Sequence, residues 1–92
     1  MPYVAYILEC SDRTLYAGST GDLPKRLHEH NHAKAGAKYT RGRRPVRAVY
    51  AEEFATLAQA RKREAEIKRL TRQGKLKLVK SRPFEQTLKW PE

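Results

Sequence analysis

Tyr3-Val4-Ala5-Tyr6-Ile7-Leu8 is an unbroken apolar run close to the start of the chain. A half-exposed strand alternates apolar and polar residues. A run with β-branched and aromatic members and no alternation reads as a strand buried on both faces. The fold must therefore cover two sheet surfaces with only 92 residues. A chain of that length forms one domain and buries about 60–65% of its unfolded surface, so its core is small.

The remaining elements follow from local signals. Ser11-Asp12-Arg13 is turn chemistry, and Thr14-Leu15-Tyr16-Ala17-Gly18 is a second strand, so residues 3–18 form a hairpin. Alternation places Tyr6 on one face with Val4 and Leu8, and Tyr16 with Thr14 and Gly18. In Gly21-Asp22-Leu23-Pro24, Asp22 can cap a helix and Pro24 is tolerated in its first turn. That helix is expected to run to about Asn31. Residues 32–45 are small, glycine-containing and basic, and read as an exposed loop. Residues 46–51 form a third strand. Thr56 and Gln59 fit a capping box that opens a helix ending near Leu70. Gly74 is expected to break it, with 75–79 a last short helix or a return. Residues 1–82 are expected to form the domain. Residues 83–92 read as an irregular tail that Phe84, Leu88 and Trp90 can pin down. The order β-β-α-β-α-α specifies a small α/β (α+β) domain, a three-stranded, mainly antiparallel sheet flanked by helices.

Ile, Leu, Val and Phe make up only 17 residues, below the share at which a highly charged chain comes under suspicion of disorder, about 20%. Eleven alanines, five tyrosines and the patterning of the apolar positions argue for a folded domain instead. The net charge of +10 is unevenly placed: residues 1–33 carry three basic and four acidic side chains, residues 34–92 carry 17 and 6. Such a field attracts polyanions, nucleic acid above all. No apolar run is long enough to span a bilayer. The N-terminus is expected to carry no secretory leader, and one cysteine excludes a disulfide framework. The expected compartment is the cytoplasm.

Several polar residues fall where a core should be. On a helical wheel, Leu23, Arg26, Leu27 and His30 share an arc of about 100°. Leu57, Ala60, Glu64 and Ile67 share about 80° on the later helix. A carboxylate in an apolar stripe needs a cation or a metal, so Glu64 pairs with Arg26 or binds an ion. With Tyr6 and Tyr16 of the hairpin, these groups form a set suited to phosphoryl chemistry. A single carboxylate suits Mg²⁺, which keeps several waters and takes further ligands from phosphate. An arginine suits a phosphate that gains charge in the transition state. A tyrosine acts on water only if nearby cations lower its pKa from about 10. Arg26 and Glu64, on different helices, are expected to face the same side of the sheet.

Val4-Ala5-Tyr6, then Tyr16-Ala17-Gly18 ten residues on, then Arg26 and His30, then Glu64, resembles the GIY-YIG endonuclease domain. The likeness covers roughly residues 2–80 and is closest to small stand-alone bacterial members. In this chain the glycine and isoleucine of the first motif are replaced by Val4 and Ala5, and the isoleucine of the second by Ala17. The resemblance implies a metal-dependent endonuclease acting on nucleic acid, DNA rather than RNA. Tyr6 and Tyr16 would lie near the scissile phosphate and the attacking water. Arg26 would stabilise the transition state, and His30 would hydrogen-bond a phosphate or tyrosine. Glu64 would be the one protein ligand of a single Mg²⁺ or Mn²⁺ that arrives with substrate. Tyr39 would add a polar group near the phosphate. Family nucleases usually carry a separate DNA-binding domain. A chain of this length is expected to lack one, so selectivity for structure rather than sequence is expected, with a protein partner as a source of targeting. Arg41, Arg43, Arg44, Arg61 and Lys68 are the expected nucleic-acid contacts.

Other signals carry less. His28 and His32 share a helix face, but it points toward solvent. The phosphate-binding pattern G-x-x-x-x-G-K-[ST] is absent. Cys10, at a strand end with no histidine assigned beside it, reads as a core residue. The rival to an enzyme is a non-catalytic nucleic-acid-binding module that keeps the fold and the charge. Such a module has no use for Glu64, which without a metal repels phosphate.

Overall fold

In the computed structural model, which describes residues 2–32 and 43–81, the apolar run is strand β1 (Tyr3–Glu9), with Val4 through Leu8 all buried. It lies between β2 (Leu15–Thr20) and β3 (Arg47–Phe54) and pairs antiparallel with both, giving the order β2-β1-β3. Its two-sided burial follows from that central position and from a layer of helix on each face. Among the described residues the elements run β1, β2, α1 (Leu23–His32), β3, α2 (Leu57–Arg69) and α3 (Arg72–Ser81), the expected β-β-α-β-α-α order.

The hairpin turn works through two devices. Arg13 takes a left-handed backbone (φ 71°), while Asp12 Oδ1 accepts hydrogen bonds from the Thr14 amide and hydroxyl. The register then places Tyr6 opposite Gly18 and Ala5 opposite Ser19. The β1–β3 register shifts between Ile7 and Leu8, which pair with Tyr50 and Ala48.

Two cores result. Val4, Tyr6, Leu8 and Cys10 pack against Leu23 and Leu27 of α1, with Val46 and Ala51. On the opposite face Ala5, Ile7, Ala17 and Tyr50 pack against Ile67 of α2, with Leu78 and Val79 of α3 at the margin. Helices α1 and α2 therefore cover opposite faces of the sheet. The expectation that Arg26 and Glu64 face the same side is corrected: a strand apolar on both faces needs a helix on each.

The helix ends are chemically specified. Asp22 Oδ1 accepts from the Lys25 amide at the start of α1. Thr56 and Gln59 close the expected capping box on α2. The predicted break at Gly74 falls earlier, at Leu70, whose backbone is extended. Thr71 Oγ1 then accepts from the Gly74 amide, so Gly74 lies inside the first turn of α3. A Cβ there would sit 3.2 Å from the Leu70 Cβ, so glycine lets the two helices meet tightly.

The expected exposed loop is tied down where it nears β3. Asn31 uses both ends of its amide on the backbone of Val46, accepting from N at 2.8 Å and donating to O at 3.1 Å. Arg44 donates to the carbonyls of His30 (2.5 Å) and Glu29 (3.5 Å). Among the described residues, no helix is long and apolar enough to cross a membrane. Tyr39, Arg41 and the tail from 83 to 92 lie outside the described residues.

Candidate active site

Gly18 is where the site begins. The Tyr6 ring lies across it so closely that a Cβ on residue 18 would stand 2.6 Å from the ring Cζ. The absence of that Cβ lets Tyr6 lie flat across β2, with its hydroxyl directed toward α1. The hydroxyl lies 3.3 Å from Nε2 of His30, which is completely buried. Tyr16 packs edge-on against the same imidazole, with centroids 5.3 Å apart. Two tyrosines from adjacent strands and one histidine from α1 thus meet on one face.

Burial dominates their acidity. It pushes the Tyr6 hydroxyl up to about 12, although the guanidinium of Arg26, within hydrogen-bonding reach, pulls the other way. Burial, reinforced by the charge of Arg26, takes His30 down to about 4, so its ring is neutral at neutral pH. Arg26 itself is about one-third exposed and pairs with Glu29 at 3.3 Å. Burial lowers its pKa, but its bonds to Tyr6 and Glu29 outweigh this and keep it cationic.

Glu64 approaches from the other face. Ser19, which shares a face with Ala17 on β2, donates its hydroxyl to Oε1 at 2.5 Å, and Lys68 Nζ lies 2.7 Å from Oε2. Burial raises the Glu64 carboxyl, but the Lys68 and Ser19 hydrogen bonds and the charges of Lys68 and Arg61 bring it below its ordinary value. The carboxylate is not isolated on that face: its charge acts on the Tyr6 hydroxyl, and Tyr16 acts on Lys68. Strand β2 is one of the sheet's two edge strands, and both half-sites draw on it, Tyr16 and Gly18 on one face and Ser19 on the other.

The structure therefore brings Tyr6, Tyr16, Arg26 and His30 into one cluster and sets Glu64 within electrostatic range. Of the two alternatives for Glu64, the pair with Arg26 does not form; there are two separate pairs, Arg26–Glu29 and Glu64–Lys68. Of the expected nucleic-acid contacts, Arg61 and Lys68 lie beside Glu64. Arg43 instead pairs with Asp12 at 3.0 Å, and Arg44 holds the carbonyl end of α1. His28 and His32 stack on the outer face of α1, 4.4 Å between centroids, as their spacing requires.

Sequence reasoning missed Ser19. Its signal was present: two more residues of β2 alternation beyond Gly18 put Ser19 on the Ala17 face, opposite the stripe that carries Glu64. As a metal site, Glu64 offers one hard oxygen ligand beside a hydroxyl, and among the described residues no group of three or more His, Cys, Asp or Glu side chains is placed to hold an ion. That donor set fits a cation that keeps most of its waters; in the structure Ser19 holds Oε1 and Lys68 holds Oε2.

Residues 2–77 match the family profile described as the GIY-YIG catalytic domain. A UPF0213 protein of Syntrophus aciditrophicus is 55% identical over 78 residues, covering 85% of this chain and 90% of the relative. UPF0213 protein SAG0778 of Streptococcus agalactiae is 49% identical over 86 residues, 94% of this chain and 97% of its own. The solution NMR structure of UPF0213 protein BH0048 from Bacillus halodurans matches with a TM-score of 0.59 and 40% identity, covering 94% of this chain and 90% of that one. The NMR structure of EF2693 from E. faecalis matches at 0.60 and 36%, covering 100% and 95%.

Proposed function

Because the chain belongs to the GIY-YIG catalytic domain family, whose type implies a nuclease, we propose that it is a metal-dependent endonuclease. It hydrolyses phosphodiester bonds of nucleic acid, DNA in preference to RNA, and selects structure over sequence. Targeting comes from a protein partner, and the site of action is the cytoplasm. One observation carries the reading: Tyr6, Tyr16, His30 and Arg26 cluster on one face at the edge strand, within electrostatic reach of a carboxylate from the other.

Each group has a task that its environment suits. Arg26 stays charged and partly open to solvent, so it can bind a non-bridging phosphate oxygen and hold it more tightly as charge builds there. His30, buried and neutral, keeps the Tyr6 hydroxyl in place through the Nε2 contact. Tyr6 and Tyr16 border the position of the attacking water. Tyr6 holds its proton in this environment; neutralising the Glu64 charge removes one of the influences that raise it. Glu64 would hold Mg²⁺ or Mn²⁺, with Ser19 fixing the carboxylate. Bound there, the ion would supply positive charge against the phosphate and the leaving oxygen. In hydrolysis the water oxygen forms a bond to phosphorus and gives up a proton, the bond to the leaving oxygen breaks, and that oxygen takes a proton.

The test is incubation of the pure protein with flapped, branched and linear DNA and with RNA, with and without Mg²⁺ or Mn²⁺. Glu64→Ala and Arg26→Ala serve as controls. Cleavage that needs the ion and disappears in both variants is expected. A folded parent that cuts none of these substrates with either ion, yet binds them, would leave the non-catalytic binding module in its place.

A further inference from the structure

A row of cations follows the outside of the edge strand. Arg61 and Lys68 are two helical turns apart, and at 100° per residue they point within about 20° of each other. Past the end of α2 the row continues to Arg72, whose Nη1 donates to the Arg13 carbonyl at 2.8 Å in the turn before β2. The Arg13 side chain is itself 76% exposed.

Two contacts register this row against the strand, and a longer-range charge interaction lies between them. Glu64 meets Ser19 and Arg72 meets Arg13, and between them Lys68 feels the charge of Tyr16. The helical residues thus ascend as the strand residues descend, so the row runs parallel to the edge. The nearby Glu66 is drawn off to Arg63, at 3.0 Å. Glu64 then stands on the helical part of this row, and Glu9 lies 3.8 Å from Arg13 at its far end. From Arg61 to Lys68 the helix rises about 10 Å, roughly three nucleotides of one duplex strand. At the loop end Arg43 pairs with Asp12, and Arg44 is turned inward onto the carbonyls of α1.

We propose that this edge is the track for the phosphates of one nucleic-acid strand, held by Arg61, Lys68, Arg72 and Arg13 as the strand passes the Glu64 site. The proposal rests on the nuclease reading of that site and adds the path by which substrate reaches it. Among the contacts expected from the sequence, it gives the principal part to Arg61 and Lys68.

The experiment measures anisotropy of a labelled 20-base-pair duplex against the full chain across 50–300 mM salt. The triple variant Arg61→Gln/Lys68→Gln/Arg72→Gln is compared with Lys62→Gln/Lys77→Gln/Lys80→Gln, which removes the same charge from exposed positions outside the row. Each phosphate contact contributes a slope of roughly −0.9 in log affinity against log salt. The row variant should shallow the slope by about 2–3 and bind at least tenfold more weakly at 100 mM salt, and the control variant should do neither. A thermal melt confirms folding; if loss of the Arg72 contact unfolds the triple variant, Arg61→Gln/Lys68→Gln is used and should shallow the slope by about 2. An unchanged slope in a folded row variant, or an equal effect in the control, overturns the track. If the slope shallows as expected but the parent cuts nothing with any ion, the track stands and the nuclease reading fails.

Discussion

A missing methyl group at residue 18 sets the position of Tyr6. Gly18→Ala would place a Cβ 2.6 Å from the Tyr6 Cζ, so the ring must leave its seat over β2 and take its hydroxyl from His30. Overpacking of this kind costs about 1–3 kcal/mol. We expect a lower melting temperature together with loss of cleavage well beyond what the stability change explains. Glu64 should behave in the opposite way. Its partner Lys68 is 53% exposed, so Glu64→Ala leaves a lysine facing water rather than a buried charge. A pair open to water on the lysine side contributes at most about 1 kcal/mol and the Ser19 hydrogen bond about 1 kcal/mol more, so the variant should stay folded and melt less than about 15 °C below the parent while cleavage is lost. A large fall in melting temperature would return Glu64 to a structural role. His30 makes a prediction in pH. Its folded pKa of about 4 lies below the ordinary 6.5 because the buried ring resists charging. The unfolded chain therefore binds the extra proton first, so stability is full above pH 6.5 and falls as pH drops toward 4. The loss amounts to about 3 kcal/mol. Urea titrations between pH 7 and 4 should show this slope in the parent, and His30→Gln should lack it.

The elements were readable wherever a local signal names its own chemistry. Thr56 with Gln59 announces a capping box, and Asp22 ahead of Pro24 announces a helix start; both work as read. What local signals do not show is a partner that lies elsewhere in the chain. Arg44 looks like one more loop cation, yet its guanidinium satisfies carbonyls at the C-terminal end of α1, which have no partner within the helix. Gly74 looks like a breaker, yet the break is made by the extended backbone of Leu70 and the Thr71 cap. The two neighbouring arginines therefore separate under mutation. Arg44→Ala should cost about 1–2 kcal/mol, a fall in melting temperature of several degrees for a domain of this size. Arg43→Ala, which loses an exposed pair with Asp12, should change it little. Equal thermal shifts would contradict the capping role.

At the scale of the whole molecule, the sequence already held the fact that corrects its own expectation. A first strand apolar at every position demands cover on both faces, and the two helices with apolar stripes are the cover. Placing Arg26 and Glu64 on one side ignored that demand. The period-2 alternation that sorts Val4, Tyr6 and Leu8 from Ala5 and Ile7 also sorts α1 from α2. What alternation could not convey is that functional groups on opposite faces can still meet around an edge strand one residue thick. This arrangement separates two properties that usually travel together. Mild core changes such as Leu27→Val and Ile67→Val lie in different cores, should each cost about 1 kcal/mol, and should add in denaturant titrations. The same pair need not add in turnover, since each shifts a different half of the cluster against the other. The edge works as a vernier: two independently packed layers slide past a common rule, and a small displacement of either layer is read out in catalytic alignment long before it registers as unfolding.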